Sequence, residues 1–97
     1  MKTKIFVWTT EAPWGNSDRA AYAMLEDGRA IASHLSSNDE WAKHDMGLTS
    51  DWKHDVYSQH CPDGFELVWV DDPDANPEWQ AAFALNQKRK SESQVTP

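Results

Sequence analysis

Apolar residues occur along this chain in short runs, separated by segments rich in turn-forming residues. Residues 5–8, Ile-Phe-Val-Trp, are a β-favouring run with apolar side chains on both alternating faces, which predicts an interior strand. Residues 11–17 contain proline, glycine and asparagine and are predicted to form a loop. The two apolar runs within residues 19–35 flank Asp27 and Gly28, a pair typical of the turn in a β-hairpin. The sequence therefore predicts three strands, of which the second and third are antiparallel neighbours.

Beyond the hairpin the pattern changes to helix caps and helical spacing. Residues 36–40, Ser-Ser-Asn-Asp-Glu, supply a cap and first-turn carboxylates for a short first helix. Residues 49–51, Thr-Ser-Asp, supply the cap of a second helix. A spacing of four residues places Trp52, Val56 and His60 on one face of this second helix. We therefore expect that face to pack against the core.

A fourth strand and a third helix complete the predicted elements. Residues 65–70 are dominated by β-branched and aromatic residues and predict the strand. Asn76 caps the third helix, Pro77 takes its first position, and the cations at residues 88–90 suit its end. One face of this helix carries Trp79, Ala82, Phe83 and Asn86. Residues 91–97 are polar and without periodicity, so we expect a disordered C-terminal tail after a single domain of residues 1–90.

The order β-β-β-α-α-β-α predicts a small α+β domain. We expect an antiparallel sheet of about four strands, with the fourth strand beside the first and the helices on one face. The large rings of the predicted elements are expected to build the core, namely Trp8, Trp41, Trp52, Trp69 and Trp79. The strands carry more aromatic residues than one sheet face can hold, so part of an aromatic face is exposed or meets a second subunit. The sequence therefore predicts a homodimer.

Composition restricts the class of protein. The 97 residues are 39% hydrophobic and hold enough apolar material for one core, with no run near the ~20 residues that span a bilayer. The lone cysteine cannot form an intrachain disulfide, so we expect a cytoplasmic protein that does not contact a membrane. The net charge of -7 opposes direct binding to nucleic acid.

The candidate chemistry is concentrated around His54, His60 and Cys61. These residue types ligate zinc, and an adjacent imidazolium can activate a thiol, so one reading is a small metal-binding or thiol-dependent enzyme. Their spacing does not match that of common metal sites, and neighbours on a helix point about 100° apart. The alternative is that His60 packs against the core, His44 and His54 are solvated, and Cys61 is a buried apolar group. Because no phosphate loop or nucleophile motif is present, we predict a protein that is not an enzyme and needs no cofactor.

Charge placement gives the leading hypothesis. Residues 37–78 contain eleven acidic residues against two lysines, a local charge of -9, whereas residues 1–36 are neutral. Such a segment can steer binding to a basic surface on a protein partner, or imitate the phosphates of nucleic acid; the simpler explanation is that it keeps the protein soluble. The candidate partner-binding residues are Trp14, Asp51, Asp55, Asp71 and Asp72. Trp14 lies in the predicted loop, where its indole either anchors a partner or packs across the end of the sheet.

Two segments also carry a resemblance to known proteins. Residues 47–73, GLTSDWKHDVYSQHCPDGFELVWVDDP, and residues 81–87, AAFALNQ, resemble small proteins of unassigned function from bacteriophage and prophage genomes. These segments together make up about a third of the chain. The resemblance implies a phage-associated accessory protein of the host cytoplasm, with no catalytic residues to transfer.

Overall fold

A computed structural model of the chain describes residues 2–11, 18–49 and 54–94. Its strands are β1 (Thr3–Glu11), β2 (Arg19–Leu25), β3 (Ala30–Ser36) and β4 (Phe65–Trp69). Its helices are α1 (Asp39–Asp45), α2 (His54–His60) and α3 (Pro77–Gln94), with a 3-10 helix at Pro73–Ala75. The α+β class and the order β-β-β-α-α-β-α are therefore confirmed.

The strands form a mixed sheet in the order β3-β2-β1-β4. β2 pairs antiparallel with both β1 and β3, so β1 and β3 run in the same direction. α1 and α2 then return the chain to the end of the sheet where β1 begins, and the Thr3 amide donates to the Gly64 carbonyl at 3.2 Å. β4 consequently lies beside β1, as predicted, but pairs with it in parallel. The expectation of a wholly antiparallel sheet was wrong because the helical connection reverses the chain once more before β4.

The two faces of the sheet are both covered. Ile5 and Val7 belong to a buried cluster with residues of α1 and α2. Phe6 and Trp8, on the opposite face, belong to a second cluster with residues of α3. The prediction that all helices lie on one face was therefore wrong, because the central strand β1 is apolar on both sides and each side needs a cover. Since α3 covers the aromatic face, the surplus of rings no longer argues for a second subunit, and the homodimer stays a prediction.

α1 is capped as the sequence predicts, but it presents a different residue to the core. The Asn38 side chain accepts a hydrogen bond from the Trp41 amide at 3.0 Å. Ala42 and Met46, four residues apart, are completely buried, whereas the Trp41 ring is exposed. The expectation that Trp41 builds the core was wrong, because the helical period turns position 41 away when positions 42 and 46 face inward.

α2 also buries a face other than the predicted one. Tyr57 and Cys61 are buried and Val56 and His60 are exposed, so the predicted core position of His60 was wrong. The Tyr57 hydroxyl donates to the carbonyl of Met46 and so ties α2 to the end of α1. The large phenol occupies the interior because its hydroxyl has a buried acceptor. Trp52 and the predicted cap at residues 50–51 lie outside the described residues.

The hairpin and α3 confirm most of their predictions. Gly28 has a φ of +92° in the turn between β2 and β3, a conformation that favours glycine. Asn76 accepts from the Trp79 amide at 2.9 Å, and α3 begins at Pro77. The helix continues past Lys90 through Gln94, so the first four residues of the predicted tail are helical; no glycine or proline interrupts them. Residues 95–97 lie outside the described part of the chain.

Within the described residues, no helix has the length and apolar character needed to cross a membrane.

Candidate functional site

Of the acidic residues predicted to bind a partner, the three that the structure describes, Asp55, Asp71 and Asp72, are exposed, and two of them serve the local fold. The Asp71 carboxylate accepts a hydrogen bond from the Trp69 indole. The Asp72 carboxylate accepts from the Asp74 amide at 3.1 Å and caps the 3-10 helix. Asp55 lies in the first turn of α2. Trp14 and Asp51 fall outside the described residues.

These acidic residues do not form one patch. Asp55 follows His54, whose ring lies 5.2 Å from the ring of Phe65 at the start of β4. Asp71 lies two residues after the end of β4. Because a strand rises about 3.3 Å per residue, the start of β4 beside His54 and the segment that holds Asp71 lie on the order of 20 Å apart. The charge that is continuous in sequence is therefore divided between two ends of the sheet.

α1 instead brings an exposed aromatic ring and carboxylates together. Trp41 is 56% exposed, and its ring packs edge-on against His44 at 5.9 Å between centroids. The Glu40 side chain is 86% exposed. Asp39 is held in place, because its carboxylate accepts from the Thr9 hydroxyl at 2.8 Å and lies 3.4 Å from the Arg19 guanidinium. We call the exposed residues Asp39, Glu40, Trp41 and His44 of α1 together the α1 surface, in which Glu40, Trp41 and His44 share one side of the helix and Asp39 lies at the edge next to the sheet.

A cavity of about 370 Å³ adjoins the α1 surface at the start of the helix. Asp39 and Glu40 line it together with Arg19 and two polar residues, Ser37 and Asn38. Two carboxylates line this wall against one guanidinium, and Lys43 Nζ lies 3.9 Å from Glu40 Oε1 on the next turn of α1. The arrangement offers an aromatic ring for apolar contact beside an acceptor site for a cationic side chain.

Sequence reasoning missed this surface although a signal for it was present. Ala42 and Met46 form an i, i+4 apolar pair, and a helix that turns this pair inward exposes Trp41. The large size of the Trp41 ring favoured the prediction that it lies in the core. The buried position is instead 42, where an alanine fits because α1 packs closely on β3 and β2. Only the distance between the helix and the sheet decides between the two arrangements.

A cluster of Ser36, His34 and Asp45 joins α1 to the edge strand β3. Asp45 accepts from the Ser36 hydroxyl at 2.7 Å and lies 3.3 Å from His34 Nε2. The Ser36 hydroxyl, followed by the nearby His44 and His34, holds the pKa of Asp45 below its usual range. The Ser36 hydroxyl donates to this carboxylate and not to an imidazole, so the serine–histidine hydrogen bond of a catalytic triad is missing. The cluster thus resembles a catalytic triad in composition only, and its contacts fix α1 to the sheet.

The residues of the alternative enzyme hypothesis, His54, His60 and Cys61, lie in different surroundings. Cys61 is 4% exposed, and burial raises the pKa of its thiol, which disfavours the reactive thiolate. His60 is exposed, and His54 packs on Phe65. Among residues 2–11, 18–49 and 54–94, no group of three or more His, Cys, Asp and Glu side chains could hold a metal ion. The geometry therefore gives this alternative no support.

Comparison with known proteins adds no further assignment. A scan against protein-family models gives no match, and searches of curated proteins and of solved structures give none either.

Proposed function

We propose that this chain is a non-enzymatic binding protein whose α1 surface docks onto a basic surface of a protein partner. The exposure of Trp41 next to the highly exposed Glu40 carboxylate, with Asp39 in the same first turn, is the observation that carries the proposal. The resemblance to small phage proteins suggests that the partner is a protein of the bacterial host or of the phage. Imitation of nucleic acid is one form of the same proposal, and the net charge of -7 supports it.

The energetic argument concerns the indole of Trp41. Covering the exposed half of a tryptophan removes about 130 Å² of mostly apolar surface from water, which stabilises a complex by about 3 kcal/mol. Tryptophan is enriched among the residues that dominate binding energy, and such residues are surrounded by a polar rim. Glu40 and Asp39 supply that rim on α1.

The negative charge of the protein increases both the association rate and the selectivity of this contact. A protein of net charge -7 attracts a basic partner over a distance of about 10 Å at moderate salt, which raises the association rate. The same field repels acidic surfaces and so excludes wrong partners. We therefore expect the association rate to fall as salt increases, with a smaller change in the dissociation rate.

An affinity capture from bacterial lysate tests the proposal. Trp41→Ser should lose the captured partner, with an affinity lower by about 30-fold or more in purified components. Leu85→Ser is the matched control, because it also removes an exposed apolar side chain, on α3. Retained capture by Trp41→Ser, or an equal loss with Leu85→Ser, would refute the α1 surface.

Charge reversal separates a local contact from a general charge effect. Glu40→Lys should weaken capture, and Glu92→Lys, which changes the net charge equally on α3, should not. A reversal of Asp51, Asp55, Asp71 and Asp72 together tests the acidic segment predicted from sequence. If that set abolishes capture and Glu40→Lys has no effect, the partner binds the acidic segment and not α1.

A further inference from the structure

Two adjoining cavities lie where α3 meets the turn between β2 and β3. One has a volume of about 360 Å³ and the other of about 300 Å³. They share Ala30, Asn86 and Lys90 as lining residues, so they form one cleft with two lobes. Each lobe is at the lower end of the range of about 300 to 1,000 Å³ for small-molecule sites.

The first lobe is basic in an acidic protein. Arg29, Arg89 and Lys90 line it together with His60. Asp27 is the carboxylate beside them, with Arg29 Nε at 2.9 Å and an Arg89 Nη at 3.9 Å from the same oxygen. Three permanent cations thus meet one carboxylate, and among the described residues Lys90 has no ion pair. An anion would find a local excess of positive charge, and acids more than about 10 Å away are largely screened by salt.

Contacts with the turn hold these cations in place. Arg89 Nε donates to the Asp27 carbonyl at 3.1 Å, and Asp27 accepts from both the amide and the Nε of Arg29. The two guanidinium groups are therefore oriented before a ligand arrives, which lowers the entropy cost of binding. Guanidinium groups match the geometry of phosphate oxygens and bind them through several hydrogen bonds.

The second lobe is aromatic. Trp8, Tyr22 and Phe83 line it with Met24 and Thr10. The rings of Trp8 and Tyr22 lie 5.6 Å apart, and the Phe83 ring stacks on Trp79 at 4.7 Å, so these walls support one another. Planar apolar walls suit a planar ring of a ligand.

The junction of the lobes is polar and fixed. Asn86 Nδ2 donates to the Gly28 carbonyl at 2.8 Å, and Lys90 follows one turn later on α3. A ligand that fills both lobes needs a planar ring, a polar middle part and an anionic end. A dianionic phosphate suits three cations better than a single carboxylate does.

We propose that this cleft binds a nucleoside monophosphate, with the base in the aromatic lobe and the phosphate at Arg29, Arg89 and Lys90. The aromatic lobe is on the α3 side of the sheet, the basic lobe extends past the hairpin to His60 of α2, and no residue of α1 lines either lobe. The inference is therefore independent of the proposed protein contact, and either can fail alone.

Isothermal titration of the full chain with AMP, adenosine and inorganic phosphate tests this site. AMP should bind saturably and at least about tenfold more tightly than either fragment. Lys90→Gln should weaken AMP binding about tenfold. Lys88→Gln is the matched control, because it removes the same charge from α3 outside the cleft and should leave AMP affinity unchanged.

A second variant tests the aromatic lobe. Tyr22→Leu should weaken AMP and leave the weak binding of phosphate as it was. No saturation by about 10 mM AMP, AMP no tighter than phosphate, or equal effects of Lys90→Gln and Lys88→Gln would each overturn the proposal. Thermal melts of all three variants without ligand establish that the fold is intact.

Discussion

The tip of the β2–β3 hairpin packs so closely on α3 that Gly28 cannot be replaced by alanine without strain. A Cβ at position 28 would lie 2.6 Å from the Asn86 amide nitrogen, 2.8 Å from Leu85 Cβ and 2.9 Å from the Ala82 carbonyl oxygen. Two of these atoms are helix backbone and the third is fixed to it, so none can move without α3. The φ of +92° adds a conformational cost for any residue with a side chain.

The expected loss for Gly28→Ala follows from these two effects. A left-handed backbone costs an alanine about 1–2 kcal/mol, and overpacking of a close contact costs about 1–3 kcal/mol. We therefore expect the free energy of unfolding to fall by about 2–5 kcal/mol, a large part of the roughly 5–15 kcal/mol available to a domain. Moving α3 outward to relieve the contact would also lengthen the bond from Asn86 to the Gly28 carbonyl.

Urea denaturation followed by tryptophan fluorescence measures this loss. Gly64→Ala is the matched control, because Gly64 has a φ of +106° but the nearest atom to its added Cβ is Lys2 Cγ, at 3.4 Å. That variant should lose only the conformational part, about 1–2 kcal/mol. Equal losses for the two variants, with unchanged denaturant slopes, would refute the close packing of the hairpin on α3.

Three further predictions concern the core and the C-terminus. Burial raises the pKa of Tyr57 to about 12, above about 10 in an unfolded chain. Tyr57 thus contributes stability that is complete below about pH 10 and is lost as the pH rises to about 12. In the Tyr57→Phe variant, the free energy of unfolding should change less over this pH range. If the free energies of the two proteins fall in parallel with pH, the raised pKa of Tyr57 is contradicted. Trp79→Ala should lower the free energy of unfolding by about 3–5 kcal/mol in a denaturation experiment. Trp79→Phe should lower it clearly less, because the buried indole nitrogen has no hydrogen-bond partner among the described residues. Equal losses for the two variants would contradict this. Removal of residues 91–97 should leave the thermal midpoint nearly unchanged, since the described side chains there, Ser91 and Glu92, are exposed; a loss like that of Trp79→Ala would show that the C-terminus is docked.

The candidate sites show how far local reasoning extends. The acidic segment could be read directly from the sequence, yet its members Asp55 and Asp71 lie at opposite ends of β4. The basic lobe could not be read in this way, because Arg29 and Arg89 are sixty positions apart and come together at Asp27 in the folded chain. Charge counted along the chain predicts a surface only where neighbouring residues also lie on one face.

The sequence by itself determined the elements and their order, because caps, turns and alternation act within a few residues. Asn38 and Asn76 cap α1 and α3, and Gly28 permits the hairpin turn, each through its own backbone or side chain. These features need no knowledge of what the element packs against.

The tertiary structure alone decided directions and faces. Residues 5–8 predict a strand that is apolar on both faces. Only the assembled sheet decides that α1 and α2 cover the face of Ile5 and that α3 covers the face of Phe6. The parallel pairing of β4, the burial of Tyr57 and the exposure of Trp41 depend on contacts between residues distant in sequence. Such contacts are selected by the packing of whole elements, since a helix can turn either of two apolar faces inward until its distance from the sheet is set.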